Sequence, residues 1–246
     1  MPVHDALPES PVPKPPNKSP RISLNKLAEF TTSKPTRQRN ILRDQKYPTD
    51  FKGMYYKEAS ESVAQCIAGG LEDTSILDRT ISILEQANPD KIGTQRRIAA
   101  NIDAIETFQS MLDDIKLEGI VPSLGAQSPP KLTVQNVDIS VRPELILRGK
   151  GRKGDPLIGA VKLHFPHSTA LGAEPAGYIS AVLQDWCKAH MADEGTPTAD
   201  MCYVIDIGGK KVWSGVKATA QRMRDIESYC QNIAALWPSI VPGSEG

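Results

Sequence analysis

Lys162 stands inside the apolar run Leu157 to Phe165, and no residue in the chain asks more plainly for a chemical reason. Residues two apart on a strand share a face, so Ala160, Lys162 and His164 point one way while Val161, Leu163 and Phe165 point the other. A buried ammonium must pair with a carboxylate or lose its proton, because an isolated charge in a low dielectric is too costly. Glu144, in Pro143-Glu144-Leu145 on the preceding run, is the obvious partner. The other reading is a strand-edge lysine exposed to water.

Other residues offer chemistry with weaker spacing. His164-x-x-His167 has two metal-binding side chains but Pro166 between them and no acid or cysteine near. Asp206 precedes Gly208-Gly209 and reads as a turn-forming acid. Asp138, Glu58, Glu61 and Asp155 are acids that could supplement a metal site, and each by itself reads as a solvated carboxylate. Arg148, Lys150, Arg152 and Lys153 fall within six positions on a glycine-rich connection, and Arg37, Arg39 and Arg43 share one helical stretch. Formal net charge is zero, so any basic surface must be local. The four cysteines form no C-x-x-C pair and read as buried free thiols. Neither a P-loop nor a G-x-S-x-G is present, and RGKGRKG joins two strands instead of opening a helix, so no nucleotide cofactor is expected.

The elements that must position these residues follow from periodicity. Seven prolines in the first twenty residues and few large apolar side chains predict an unstructured tail over 1–21, with a proline-rich docking ligand as the functional alternative. From Ile22 to about Ile115 the spacing is helical, and Ile98 to Ile115 reads as one long helix. The segment VPSLGAQSPP reads as a joint. Lys131–Val134, Val137–Leu147 and Leu157–Phe165 then read as strands, the last two adjacent and antiparallel because so short a connection cannot carry a parallel crossover. A helix over about 173–192, strands at MCYVIDI and KVWSG, and a closing helix over about 218–236 complete the chain. Residues 22–238 read as one domain, with a helical part to 118, a strand-rich core from 130 and a flexible end from 239. No run approaches 18 apolar residues and no export signal is visible, so a cytoplasmic protein without a membrane partner is expected.

Three segments carry a family likeness: RISLNKLAEFTTSKPTRQRNILRD, VDISVRPELILRGKGRKGDPLIGAVKLHF and YISAVLQDWCKAH. In order and spacing they resemble the PD-(D/E)XK nuclease superfamily, within it the RecB-like exonuclease branch that includes the CRISPR adaptation exonucleases. The resemblance implies an α/β fold, a mixed central sheet flanked by helices, with an N-terminal helical extension. It implies a metal-binding and catalytic role for Glu144 and a catalytic role for Lys162 and for Gln184, the last packed by the site. In the family the acid two residues before the lysine is a second ligand, and here that position is Ala160. Ser33-Lys34-Pro35 replaces the family's cysteine-proline bend, Lys188 stands where the family's tyrosine follows the glutamine, and no iron–sulfur cluster is implied.

The function expected is therefore that of a nuclease-like, nucleic-acid-associated protein with a degenerate site for Mg²⁺ or Mn²⁺, placed in phage defence or DNA repair. Arg148, Lys150, Arg152, Lys153, Arg37 and Arg39 are its expected nucleic-acid contacts. Replacing Ala160 with Glu would then raise metal binding. The alternative is a non-catalytic module that uses the same scaffold to bind a protein partner.

Overall fold

The computed structural model describes residues 15–48 and 55–243. In chain order the elements are β1 (Arg21–Ser23), α1 (Leu24–Thr32), α2 (Pro35–Lys46), α3 (Lys57–Ala68), α4 (Ser75–Gln86), α5 (Ile92–Gln109), β2 (Ile120–Leu124), β3 (Leu132–Val134), β4 (Val137–Ser140), β5 (Leu145–Lys150), β6 (Pro156–His164), α6 (Ala173–His190), β7 (Thr196–Asp206), β8 (Lys211–Trp213) and α7 (Thr219–Leu236). The protein is an α/β fold with mixed sheets flanked by helices.

The larger sheet runs β2-β5-β6-β7-β8. β5 and β6 form an antiparallel hairpin pair, while β6 and β7 are parallel and need a crossover, which α6 supplies. The two central strands are apolar on both faces, as a sheet covered on both sides requires. Ile158, Ala160, Cys202 and Val204 pack with α1, α6 and α7. Val161, Leu163, Tyr203 and Ile205 pack with α3, α4 and α5. Gly159 is needed where β7 bulges against β6, since a Cβ there would lie 2.2 Å from the Met201 carbonyl oxygen.

The smaller sheet has the order β1-β4-β3, with β1 parallel and β3 antiparallel to β4. The two sheets correct two expectations. Val137–Leu147 is not one strand: β4 ends at Ser140, Arg142 turns the chain with φ +32°, and only from Leu145 does it pair with β6. The pyrrolidine of Pro143, which restricts the residue before it, stands at that break. Only the first four residues of the expected joint VPSLGAQSPP depart from it: they belong to the edge strand β2, paired with β5 in spite of Pro122, a residue that edges tolerate, while 125–130 form the irregular connection. The long helix also ends earlier than its periodicity implies: α5 stops at Gln109, and a single 3₁₀ turn, Leu112–Asp114, carries the chain on to Ile115.

Of the two expected tails, the described residues include 15–21 and 239–243. The expected tail falls partly on residues 1–14, which lie outside the described residues. Within the rest of it, the Asn17 amide donates to the Lys46 carbonyl at 2.8 Å and Arg21 enters β1. At the other end Ile240 is buried, and its carbonyl accepts from the Lys46 ammonium at 2.9 Å. All four cysteines are buried free thiols.

Candidate functional site

Antiparallel pairing sets Leu145 opposite Val161, so Glu144 and Lys162, one residue further along each strand, meet on the same face. Lys162 Nζ lies 2.6 Å from Glu144 Oε1 and donates a second bond, 2.8 Å long, to the Arg142 carbonyl. The left-handed backbone at Arg142 presents that carbonyl. Glu144 Oε2 accepts the Leu163 amide hydrogen at 2.8 Å. Gly125 braces the acid from behind: its amide donates to the Glu144 carbonyl at 2.9 Å, and a Cβ there would fall 2.1 Å from the Pro143 oxygen. Lys162 is on a central strand and 8% exposed, so it is not an edge lysine in water.

The pair opens on a cavity of about 1040 Å³ at the end of the sheet. α1 contributes Lys26 and Glu29 to its wall, and α3 contributes Lys57 and Glu61. These charges are matched, with Lys26 2.6 Å from Glu29 and Lys57 3.9 Å from Glu61. Burial works against the charge on Glu29, but hydrogen bonds from Lys26 and Arg37 outweigh it and hold its carboxyl below the ordinary range. Tyr56 stacks on Phe165 with ring centres 5.5 Å apart, forming an aromatic stretch of the rim.

His164 lies beside Lys162 on the same face and is 6% exposed. Its Nε2 faces the Thr169 carbonyl at 2.8 Å, so that nitrogen carries the hydrogen and Nδ1 is a lone-pair acceptor. Nδ1 has no partner. Burial, the strongest influence, pushes the pKa of His164 below the ordinary imidazole value and keeps the ring neutral.

His167 is its opposite. It is half exposed, with Nδ1 2.8 Å from the Gly208 carbonyl and Nε2 2.8 Å from Asp103 Oδ2. The hydrogen bond to Asp103 and then the one to Gly208 raise its pKa. The two histidines thus take different partners and do not form a joint metal site.

The remaining expected residues divide. Gln184 does not line the cavity; its amide donates to the Val216 carbonyl at 2.7 Å, on the side of α6 facing the segment after β8. Arg148 is paired with Glu194 and donates to the Ser123 hydroxyl, and Arg37 is paired with Glu29. Arg39 on α2 is exposed, as are Lys150, Arg152 and Lys153 at the hairpin. That hairpin lies six paired positions from Glu144 and Lys162, about 20 Å along the strands, at the far end of the sheet from the cavity. Asp206 is fully buried and accepts the amides of Gly209 and Leu171, the turn-forming role expected of it.

The donors around Glu144 do not fit the divalent ion that the family resemblance implies. Such an ion takes six or more oxygen ligands. Both oxygens of Glu144 already accept hydrogen bonds, and an ammonium occupies the side a cation would approach. Ala160 is fully buried between Ile146 and Cys202 on its neighbouring strands. Asp138 is held by Lys131 and Thr133, Glu58 by Arg97, and Asp155 is exposed at the hairpin. Among the described residues, no three His, Cys, Asp or Glu side chains gather as metal donors.

No family model matches the chain, and no curated protein matches it either. Among the described residues, no helix is long and apolar enough to cross a membrane.

Proposed function

We propose that the protein is a nuclease-like nucleic-acid-binding protein that holds a strand at the Glu144–Lys162 cleft and cleaves it poorly or not at all. The observation that carries this reading is the corner itself. An antiparallel pair followed by a helical crossover into a parallel strand brings Pro143-Glu144 and a buried lysine together at the mouth of a large cavity. That order of elements resembles the catalytic corner of PD-(D/E)XK nucleases, and the substitution by Ala160 removes a carboxylate on which metal-dependent hydrolysis depends. Lys162 lines the cavity and, beyond its bonds to Glu144 and the Arg142 carbonyl, keeps one N–H that a phosphate oxygen can accept.

The test is fluorescence anisotropy with labelled single- and double-stranded DNA and RNA, alongside a cleavage assay in Mg²⁺ and Mn²⁺. Binding in the micromolar range or tighter with little cleavage is expected. Robust cleavage, lost in Glu144→Ala and Lys162→Ala, would make the protein a competent enzyme. A specific observation favours the second reading, a protein-interaction module: the cavity's lysines and glutamates are matched in pairs, while Ile83 and Ile92 on α4 and α5 are 69% and 66% exposed. Absence of binding to every oligonucleotide would select it.

A further inference from the structure

The connection from β6 to α6 passes through a 3₁₀ turn, His167–Thr169, and supplies part of the cavity rim through Phe165, Pro166 and Thr169. Its attachments are few and specific. His164 Nε2 holds the Thr169 carbonyl from below, Asp206 holds the Leu171 amide, and His167 reaches outward to two different elements. One ring nitrogen of His167 meets the Gly208 carbonyl in the β7–β8 turn, and the other meets the Asp103 carboxylate on α5.

Both partners of His167 are acceptors only. An imidazolium has two N–H donors and satisfies both, whereas a neutral imidazole has one and must lose one bond. We propose that His167 is a pH-sensitive clasp on the cavity rim, which when charged ties the turn to α5 and to the β7–β8 turn together and when neutral lets one of them go. The charged and titratable groups around it fit a local switch. Asp103 attracts the imidazolium from α5, and Lys210 of the β7–β8 turn opposes it. Tyr56 of the α3 side also faces Asp103: burial raises the phenol's pKa, and Tyr55 and then the Asp103 charge add to it. His164 and Asp206 hold the turn from the sheet side.

The clasp stands on the protein's own contacts, and only its consequence for ligand entry rests on the cavity being the binding site proposed above. Amide hydrogen exchange across the turn, followed with the His167 ring signals by NMR from pH ~5.5 to ~8.5, tests it. The amides of Thr169 and Ala170, which donate to Pro166 and His167 carbonyls, should lose protection severalfold, after correction for intrinsic exchange, as His167 deprotonates. In Asp103→Ala the ring should titrate at lower pH, with the loss of protection moving alongside it. In His167→Gln, which keeps a donor but does not titrate, protection should not follow pH. Protection that ignores the ionisation of His167 in the wild type, or an unchanged titration in Asp103→Ala, would overturn the clasp. A protein that shows this exchange pattern yet binds no oligonucleotide at any pH keeps the clasp and overturns the binding reading instead.

Discussion

Lys162 Nζ and Glu144 Oε1 lie 2.6 Å apart across the β5–β6 pair, while the carboxylate's other oxygen takes the amide of Leu163, the lysine's own neighbour. One side chain thus grips both the charge and the backbone of the facing strand. Two contacts from adjacent residues, Lys162 and Leu163, fix the acid as part of the sheet's end.

Breaking that pair from one side should be costly, because the side chains are only 10% and 17% exposed. Lys162→Met should lower stability by about 2–4 kcal/mol in urea denaturation, and adding Glu144→Gln should recover part of the loss. A double-mutant cycle should give a coupling of about 2 kcal/mol. Coupling under about 0.5 kcal/mol would show that the pair behaves as a surface contact.

Ala160→Glu should not create a metal site. The new carboxylate would enter the packed layer between Ile146, Cys202 and α6, where the Ser180 hydroxyl is already bonded to the Cys202 carbonyl. A loss of roughly 3 kcal/mol or more is expected, with no binding of Mn²⁺ by calorimetry. A folded Ala160→Glu protein that binds Mn²⁺ would restore the expectation drawn from the family pattern.

The hairpin and the cleft should contribute separately to nucleic-acid binding, being about 20 Å apart on the same strands. Neutralising Lys150, Arg152 and Lys153 together should flatten the log–log salt dependence of affinity by roughly two to three units if a strand follows the sheet from one end to the other. Arg142→Ala, at the cleft alone, should change it by about one unit or less. An unchanged slope in the triple variant would confine binding to the cleft.

Around pH 6.5, the ordinary imidazole value, two histidines of one connection pull stability in opposite directions. The raised pKa of His167 gives stability that is full below the unfolded value and lost as pH rises through the folded one. The lowered pKa of His164 gives stability that is full above the unfolded value and lost as pH falls toward the folded one. In thermal melts, His167→Gln should flatten the fall in stability just above pH 6.5 while sparing the acid side, and the further loss at high pH belongs to buried Cys187, Cys230, Tyr178 and Tyr203. Solvent screening keeps the His167 contribution small, since that ring is half exposed.

The Glu144–Lys162 pair was legible because it needs only the two-residue period of strands and a short connection between them. The same period placed His164 on Lys162's face, but nothing local foretold its Thr169 bond or its neutral ring. β1 and β2 went unread because three and five residues, the latter with Pro122, are too few to show a period. Gln184 was placed by family pattern, and its actual partner, Val216, lies beyond β8 where spacing gives no guide. The matching of Arg37 to Glu29, Arg148 to Glu194 and His167 to Asp103 is tertiary, and it removes from the free surface cations that sequence alone counts as available.

The pairing of β1 with β4 also sets a timetable for synthesis. Arg21 lies opposite Asp138, 117 positions further on, so at ribosomal rates the partner strand follows roughly 6–23 s later. During that interval Ile22, Leu24, Leu27 and Phe30, all buried in the finished protein, have no sheet to cover them. A nascent chain stopped before Val137 would carry the apolar face of α1 uncovered, making it a natural client for chaperones that hold unfinished proteins.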